Sequence, residues 1–88
     1  MNTTKPTPEE VRAFILSLYA EKFKHAGLRV VPDNFDLVTG GIIDSMGVLE
    51  LVGALEHKFG MELDLSGLDA EHLAMVGPLA RFVSRQVA

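Results

Sequence analysis

Gly41-Ile42-Ile43-Asp44-Ser45-Met46-Gly47-Val48-Leu49-Glu50-Leu51-Val52-Gly53-Ala54-Leu55-Glu56-His57-Lys58-Phe59-Gly60 is the stretch whose reading decides the fold. Asp44 is a helix-capping residue type placed just before an apolar period, and Gly60 is the usual kind of stop. At about 100° per residue, Val48, Leu51, Val52, Leu55 and Phe59 fall within a third of the helical circle and predict a core stripe. Met46, Leu49 and Gly53 fall on the opposite side, flanked by Glu50, Glu56 and His57. One buried face suffices to hold a helix in a small domain. The second apolar strip, rimmed by acid, is therefore either a partner-docking surface or a set of ordinary exposed apolar residues. Ser45 stands just inside the helix start, where unpaired backbone N–H groups and the positive end of the helix dipole favour a phosphate. An Asp-Ser helix start is also frequent with no function attached.

Upstream, Thr7-Pro8-Glu9-Glu10 combines a capping Thr, a Pro at the first helical position and a Glu at the third. Val11, Ile15, Leu18 and Tyr19 recur at helical spacing, with Phe14 and Phe23 nearby. Gly27 follows Lys24 and His25, which suits a stop with positive charge in the last turn. The first helix is expected over residues 8–25, after a flexible tail at 1–6. Residues 28–43 hold Pro32, Asp33, Asn34 and Gly40-Gly41 without sustained periodicity. A loop of about 16 residues is long for a compact domain, and such loops are often functional. Leu28, Val30, Phe35, Leu37 and Ile42-Ile43 are available to pin it to the helices.

Downstream, residues 61–65 have a strand-like flavour, and a short helical piece is expected over 66–73. The last helix runs from Val76 or Pro78 to Val87, with Leu79, Phe82, Val83 and Val87 facing inward. The predicted class is all-α: three main helices plus a short third one, a long loop between helices one and two, and a single domain over residues 7–88.

Composition narrows the function. The chain has 88 residues, no cysteine and three scattered histidines, so neither a disulfide framework nor a zinc motif is expected. The net charge is −4 and the eight Lys and Arg residues are dispersed, which argues against nucleic acid and for partners with basic surfaces. No secretory signal and no apolar run of membrane-spanning length is visible, so a cytoplasmic location without membrane insertion is expected. The Asn2-Thr3-Thr4 match to a glycosylation acceptor is read as chance on that ground. A serine hydrolase is excluded by the short chain and the lack of a Gly-x-Ser-x-Gly elbow.

Taken together, Gly41-Ile42-Ile43-Asp44-Ser45-Met46, then Leu49-Glu50-Leu51, Leu55-Glu56 and Phe59-Gly60 closely resemble the acyl and peptidyl carrier protein family. The likeness extends over residues 8–87 and includes the approach to the last helix, Leu73-Ala74-Met75-Val76-Gly77. The resemblance implies that Ser45 receives 4′-phosphopantetheine from coenzyme A through a phosphopantetheinyl transferase, normally with magnesium. The arm's thiol then holds acyl cargo as a thioester for partner enzymes of specialised lipid, polyketide or secondary metabolism. The chain would be a substrate of enzymes and not an enzyme. No His or Lys lies beside Ser45 in sequence to activate it, in keeping with an external catalyst. Asp44 would be both cap and recognition motif. Met46, Leu49, Glu50, Gly53 and Glu56 match the family's partner-facing positions, with acid to steer basic partners and Met adaptable to several. Synthases, transferases and acyl- or aminoacyl-adenylating ligases are the implied partners, and a monomer is the implied state.

Three departures stand out. Gly47 replaces a frequent acid, His57-Lys58 replace an acidic continuation, and Gly53 replaces a larger apolar residue, which separates this chain from a typical fatty acid synthase carrier. At the last helix, Met75 occupies a position where the family often has a Thr or Ser cap. Asp44-Ser45-Met46-Gly47 is also similar to the carriers of D-alanine transfer, so an aminoacyl or peptidyl carrier loaded by an adenylating ligase is the alternative. An unmodified carrier-like interaction module is a further one. An apolar cargo slot would draw on Leu55, Phe59, Leu68, Leu73 and Met75, residues that equally suit an ordinary core.

Overall fold

Thr7 and Glu10 start the first helix by exchanging hydrogen bonds: the Glu10 N–H donates to Thr7 Oγ1 (3.1 Å) and the Thr7 N–H to Glu10 Oε1 (2.8 Å). This reciprocal cap satisfies donors that helix geometry leaves free, and Pro8 has no N–H to satisfy. The computed structural model describes residues 6–69 and 72–86. Among them the chain is mostly helical and has no strand: α1 (Pro8–Leu18), α2 (Ala20–His25), α3 (Ser45–Phe59) and α4 (Val76–Arg85). The expected all-α class is the class observed.

Several boundaries differ from expectation. The helix predicted over residues 8–25 is interrupted at Tyr19, whose φ of −113° and ψ of 25° lie outside α geometry. Neither Pro nor Gly causes the break. The Ser17 hydroxyl donates to the Phe14 carbonyl (2.9 Å) in the last turn of α1, and the Tyr19 carbonyl accepts from the Phe23 N–H (2.9 Å) as α2 begins. In place of the short helix expected over 66–73, the described residues show a 3₁₀ turn at Leu65–Gly67 and a further 3₁₀ residue at His72, whose N–H donates to the Asp69 carbonyl (2.9 Å). Asp64 Oδ1 accepts from both the N–H (3.1 Å) and the hydroxyl (2.7 Å) of Ser66, which holds a local turn in place of a longer helix. The strand-like stretch at 61–65 pairs with nothing; the one β-bridge among the described residues joins Asp36 and Met75. Finally, α4 stops at Arg85. Gln86 is extended, and its Oε1 accepts from the Asp64 N–H at 3.1 Å. Val87, expected to face the core, lies outside the described residues, as do residues 1–5 of the expected tail.

The core draws on every helix and on the long loop. Val11 and Ile15 of α1, Leu51 and Leu55 of α3, and Val76, Leu79 and Val83 of α4 are fully buried. The buried stripe of α3 is rotated from the expected one. Val52 is half-exposed, whereas Gly47, one turn from Leu51, is buried. A side chain at Gly47 would place its Cβ 2.9 Å from the Cβ of Ile43, so the missing side chain is what lets Ile43 pack down on the helix. In the loop, Val31 enters the core while Val30 is 79% exposed, the reverse of the expectation for Val30. The Val31 carbonyl accepts a hydrogen bond from Arg12 Nη2, which fixes this part of the loop to α1.

Leu37 organises the rest of the loop. Its side chain is fully buried, its N–H donates to the Ala74 carbonyl (2.8 Å), and its own carbonyl accepts from both Ile42 (2.9 Å) and Ile43 (3.0 Å). Asp36 Oδ1 accepts from the N–H groups of Val38 (2.8 Å) and Thr39 (3.0 Å), closing the same bend from the other side. Loop carbonyls also cap α4, since Met75 makes no side-chain capping bond. The Val76 N–H donates to the Phe35 carbonyl (3.0 Å) and the Gly77 N–H to the Asp33 carbonyl (2.7 Å). Pro78, within the first turn, has no N–H to satisfy. The Asp33 carboxylate lies between Arg12 of α1 (3.5 Å) and Arg81 of α4 (3.0 Å). It packs so closely on Gly77 that a Cβ there would come within 2.6 Å of Asp33 Cγ.

Replacing Leu37 with Ala removes the side chain around which this loop is wound. Urea unfolding of the variant is expected to show a loss of about 2–5 kcal/mol, the range for a fully buried Leu. A loss under about 1 kcal/mol would mean that the backbone bonds alone hold the loop.

Candidate functional site

The loop delivers the chain to Asp44, the N-cap of α3, with φ −97° and ψ −177°. Asp44 Oδ1 accepts from the Gly47 N–H at 2.7 Å, as a capping carboxylate should. Gly60 ends the helix in the left-handed region, φ 64° and ψ 40°, where a glycine bears no Cβ strain. Ser45 is the first residue of α3 and is exposed. Its hydroxyl has no hydrogen-bond partner among the described residues, and neither do the N–H groups of Ser45 and Met46. An exposed hydroxyl at this point therefore sits beside two free donors and the positive end of a 15-residue helix.

Ser45 stands on the rim between two grooves. One, of about 360 Å³, is predominantly apolar, walled by Val38, Val48, Leu49, Leu73 and Ala74, with Asp36 and Thr39 at its edge. The other, of about 750 Å³, runs between α2 and the start of α3 and is more polar, with Tyr19, Lys22, Asp44 and Glu50 among its walls. The sequence gives no local signal for Lys22 or Tyr19 as neighbours of Ser45; only the fold brings them there. Of the residues considered for an apolar slot, Leu73 alone lines the groove at Ser45. Leu55 is fully buried in the core, and Phe59 packs edge to face on Phe14 with centroids 5.8 Å apart.

The outward strip of α3 is present as a surface. Met46 is 70% and Leu49 65% exposed, among the most exposed large apolar side chains of the described residues. Glu50 is exposed beside them, and Gly53 is open, with nothing within 4 Å of where a Cβ would stand. Glu56 differs from the other acid. It is half-buried, and its Oε2 accepts from the Leu63 N–H at 2.8 Å, so it ties down the segment that follows α3.

Tyr19 reports on the polar groove. Partial burial pushes its phenol above the usual tyrosine range, and the nearby Glu50 carboxylate pushes it further in the same direction. The folded state thus keeps the proton to higher pH than the unfolded chain. The associated stability is complete below the unfolded value and is lost as pH rises through the folded one.

No protein-family model, curated protein or solved structure matches the chain. No helix is long and apolar enough to cross a membrane among the described residues.

Tyr19 is the sole tyrosine and the chain has no tryptophan, so ultraviolet titration of the phenolate is unambiguous. Its midpoint is expected above the usual tyrosine range, and Glu50→Gln should lower it part of the way, because burial is the larger cause. An unmoved midpoint in the variant would place Glu50 out of electrostatic reach of the phenol.

Proposed function

We propose that this protein is an acyl carrier protein, with a 4′-phosphopantetheine arm on Ser45 and thioester cargo at the arm's end. The observation that carries the reading is the setting of Ser45: an exposed hydroxyl on the first residue of α3, it and the two N–H donors beside it unpartnered among the described residues, with a groove on either side. The capping carboxylate of Asp44 is turned to the Gly47 N–H, so it leaves the Ser45 hydroxyl unencumbered. A helical bundle of the carrier type accommodates the observed order of helices, with the long loop placed between the N-terminal helical pair and α3.

These features suit a phosphodiester. Its negative charge would meet the dipole of α3 and the free N–H groups of its first turn. Attachment joins Ser45 Oγ to the phosphorus that bears the pantetheine group. The bond from that phosphorus to the adenosine bisphosphate portion of coenzyme A breaks, and the hydroxyl proton passes to a base of the transferase. The arm supplies the thiol chemistry; this chain's residues bind, orient and present. Met46 and Leu49 would offer partner enzymes an apolar contact, and Glu50 the charge that sets register against a basic surface.

Incubation with coenzyme A and a broad-specificity phosphopantetheinyl transferase, followed by intact mass measurement, tests the reading. The native protein is expected to gain one phosphopantetheinyl group and the Ser45→Ala variant none. A folded native protein that gains nothing with several transferases would instead be an unmodified interaction module.

A further inference from the structure

The two grooves at Ser45 differ in chemistry, and the polar one contains a cation with no ion-pair partner among the described residues. Lys22 of α2 and Ser45 line the same cleft, together with the Tyr19 phenol and Glu50. Among the described residues, Lys22 forms no ion pair; the observed pairs use Arg12, Arg81 and His72. The cleft also has two carboxylates among its walls: Asp44, whose Oδ1 accepts from the Gly47 N–H, and Glu50, which lies near the Tyr19 phenol. A phosphopantetheine arm is itself polar along its length, with a phosphodiester at its root followed by a hydroxyl and two amides. An apolar acyl chain matches the opposite groove, walled by Val38, Val48, Leu49 and Leu73.

We infer that the arm on Ser45 rests in the groove between α2 and α3, with its phosphodiester paired to Lys22 and its hydroxyl and amide groups within reach of Tyr19 and Glu50. This rests on the carrier reading above and adds to it a resting place for the arm and a positioning residue on a different helix. The break at Tyr19 gives it a structural basis, because it makes α2 a separate element that forms one wall of the cleft. One lysine balances the single charge of a phosphodiester, and because Lys22 and Ser45 are both exposed the pair is open to screening by salt.

The test compares amide NMR spectra of the 15N-labelled apo and loaded proteins, in the native sequence and in Lys22→Ala, Lys22→Arg and Lys24→Ala. Intact mass of each sample records the extent of loading. In the native protein, loading is expected to shift the amides of Tyr19 and Lys22 as well as those of residues 44–47. In Lys22→Ala the Tyr19 shift should fall at least threefold while the mass shows full loading. Lys22→Arg and Lys24→Ala should retain it, and raising the salt to about 0.5 M should reduce it in the native protein. Full loading with shifts confined to residues 44–49 and 73–74, or a Lys22→Ala pattern equal to the native one, overturns the placement of the arm and leaves the carrier reading intact. Failure of the native protein to load overturns both.

Discussion

Leu37 is the residue on which the arrangement depends. Its side chain is buried among the helices while its backbone bonds in two directions, forward to Ile42 and Ile43 and across to Ala74. Ordering a residue costs roughly 1–2 kcal/mol of backbone entropy, so the 19 residues between α2 and α3 would ordinarily be a burden on a domain this small. Here the connection buries Val31, Leu37, Ile42 and Ile43, each worth about 1.5–3 kcal/mol when fully removed from water. The loop therefore behaves as part of the core. By bonding to the residues just before Asp44, Leu37 also fixes where α3 begins, and with it the position of Ser45.

The same loop fastens the two ends of the chain together. Asp33 sits between Arg12 on α1 and Arg81 on α4, and its carbonyl closes the first turn of α4. Pairs this exposed contribute little each, on the order of 0–1 kcal/mol. Their effect is geometric: they hold the Asp33 carbonyl over Gly77, where the lack of a side chain permits the approach. At the other end of α3, Glu56 holds Leu63 and Gln86 holds Asp64, so both segments flanking this helix are secured by named side chains.

What local chemistry determines was legible in the sequence. The Thr7–Glu10 cap, the Asp44 cap, the Gly27 and Gly60 stops and the all-α class all follow from residues a few positions apart. The exposure of Met46 and Leu49 likewise follows from the helical wheel. What long-range contacts decide was not legible. Val52 and Gly47 exchange roles because Ile43 needs the space over Gly47, and a wheel drawn for one helix does not contain Ile43. The break at Tyr19 falls in a run of helical periodicity with neither Pro nor Gly to mark it. Met75 looked like a defective cap because the true acceptors, Phe35 and Asp33, lie some forty positions earlier. The candidate site divides in the same way: Ser45 and the outward strip of α3 belong to one motif, Leu73 is the one residue of the expected slot that the fold brings to the groove, and Lys22 and Tyr19 join only through the fold.

The capping of α4 by remote carbonyls has a consequence for how the protein breathes. A helix capped by its own side chain can fray and reform independently of its surroundings. The first turn of α4 has no such cap, so opening the loop at Phe35 also strips the acceptors from Val76 and Gly77. Loop and helix end thus form one cooperative unit, whose excursions into water are shared events rather than the private motion of a surface segment. Since Leu73 and Ala74 lead directly into that turn and Asp36 and Val38 lie in that loop, the apolar groove beside Ser45 is walled largely by a unit that opens as a whole.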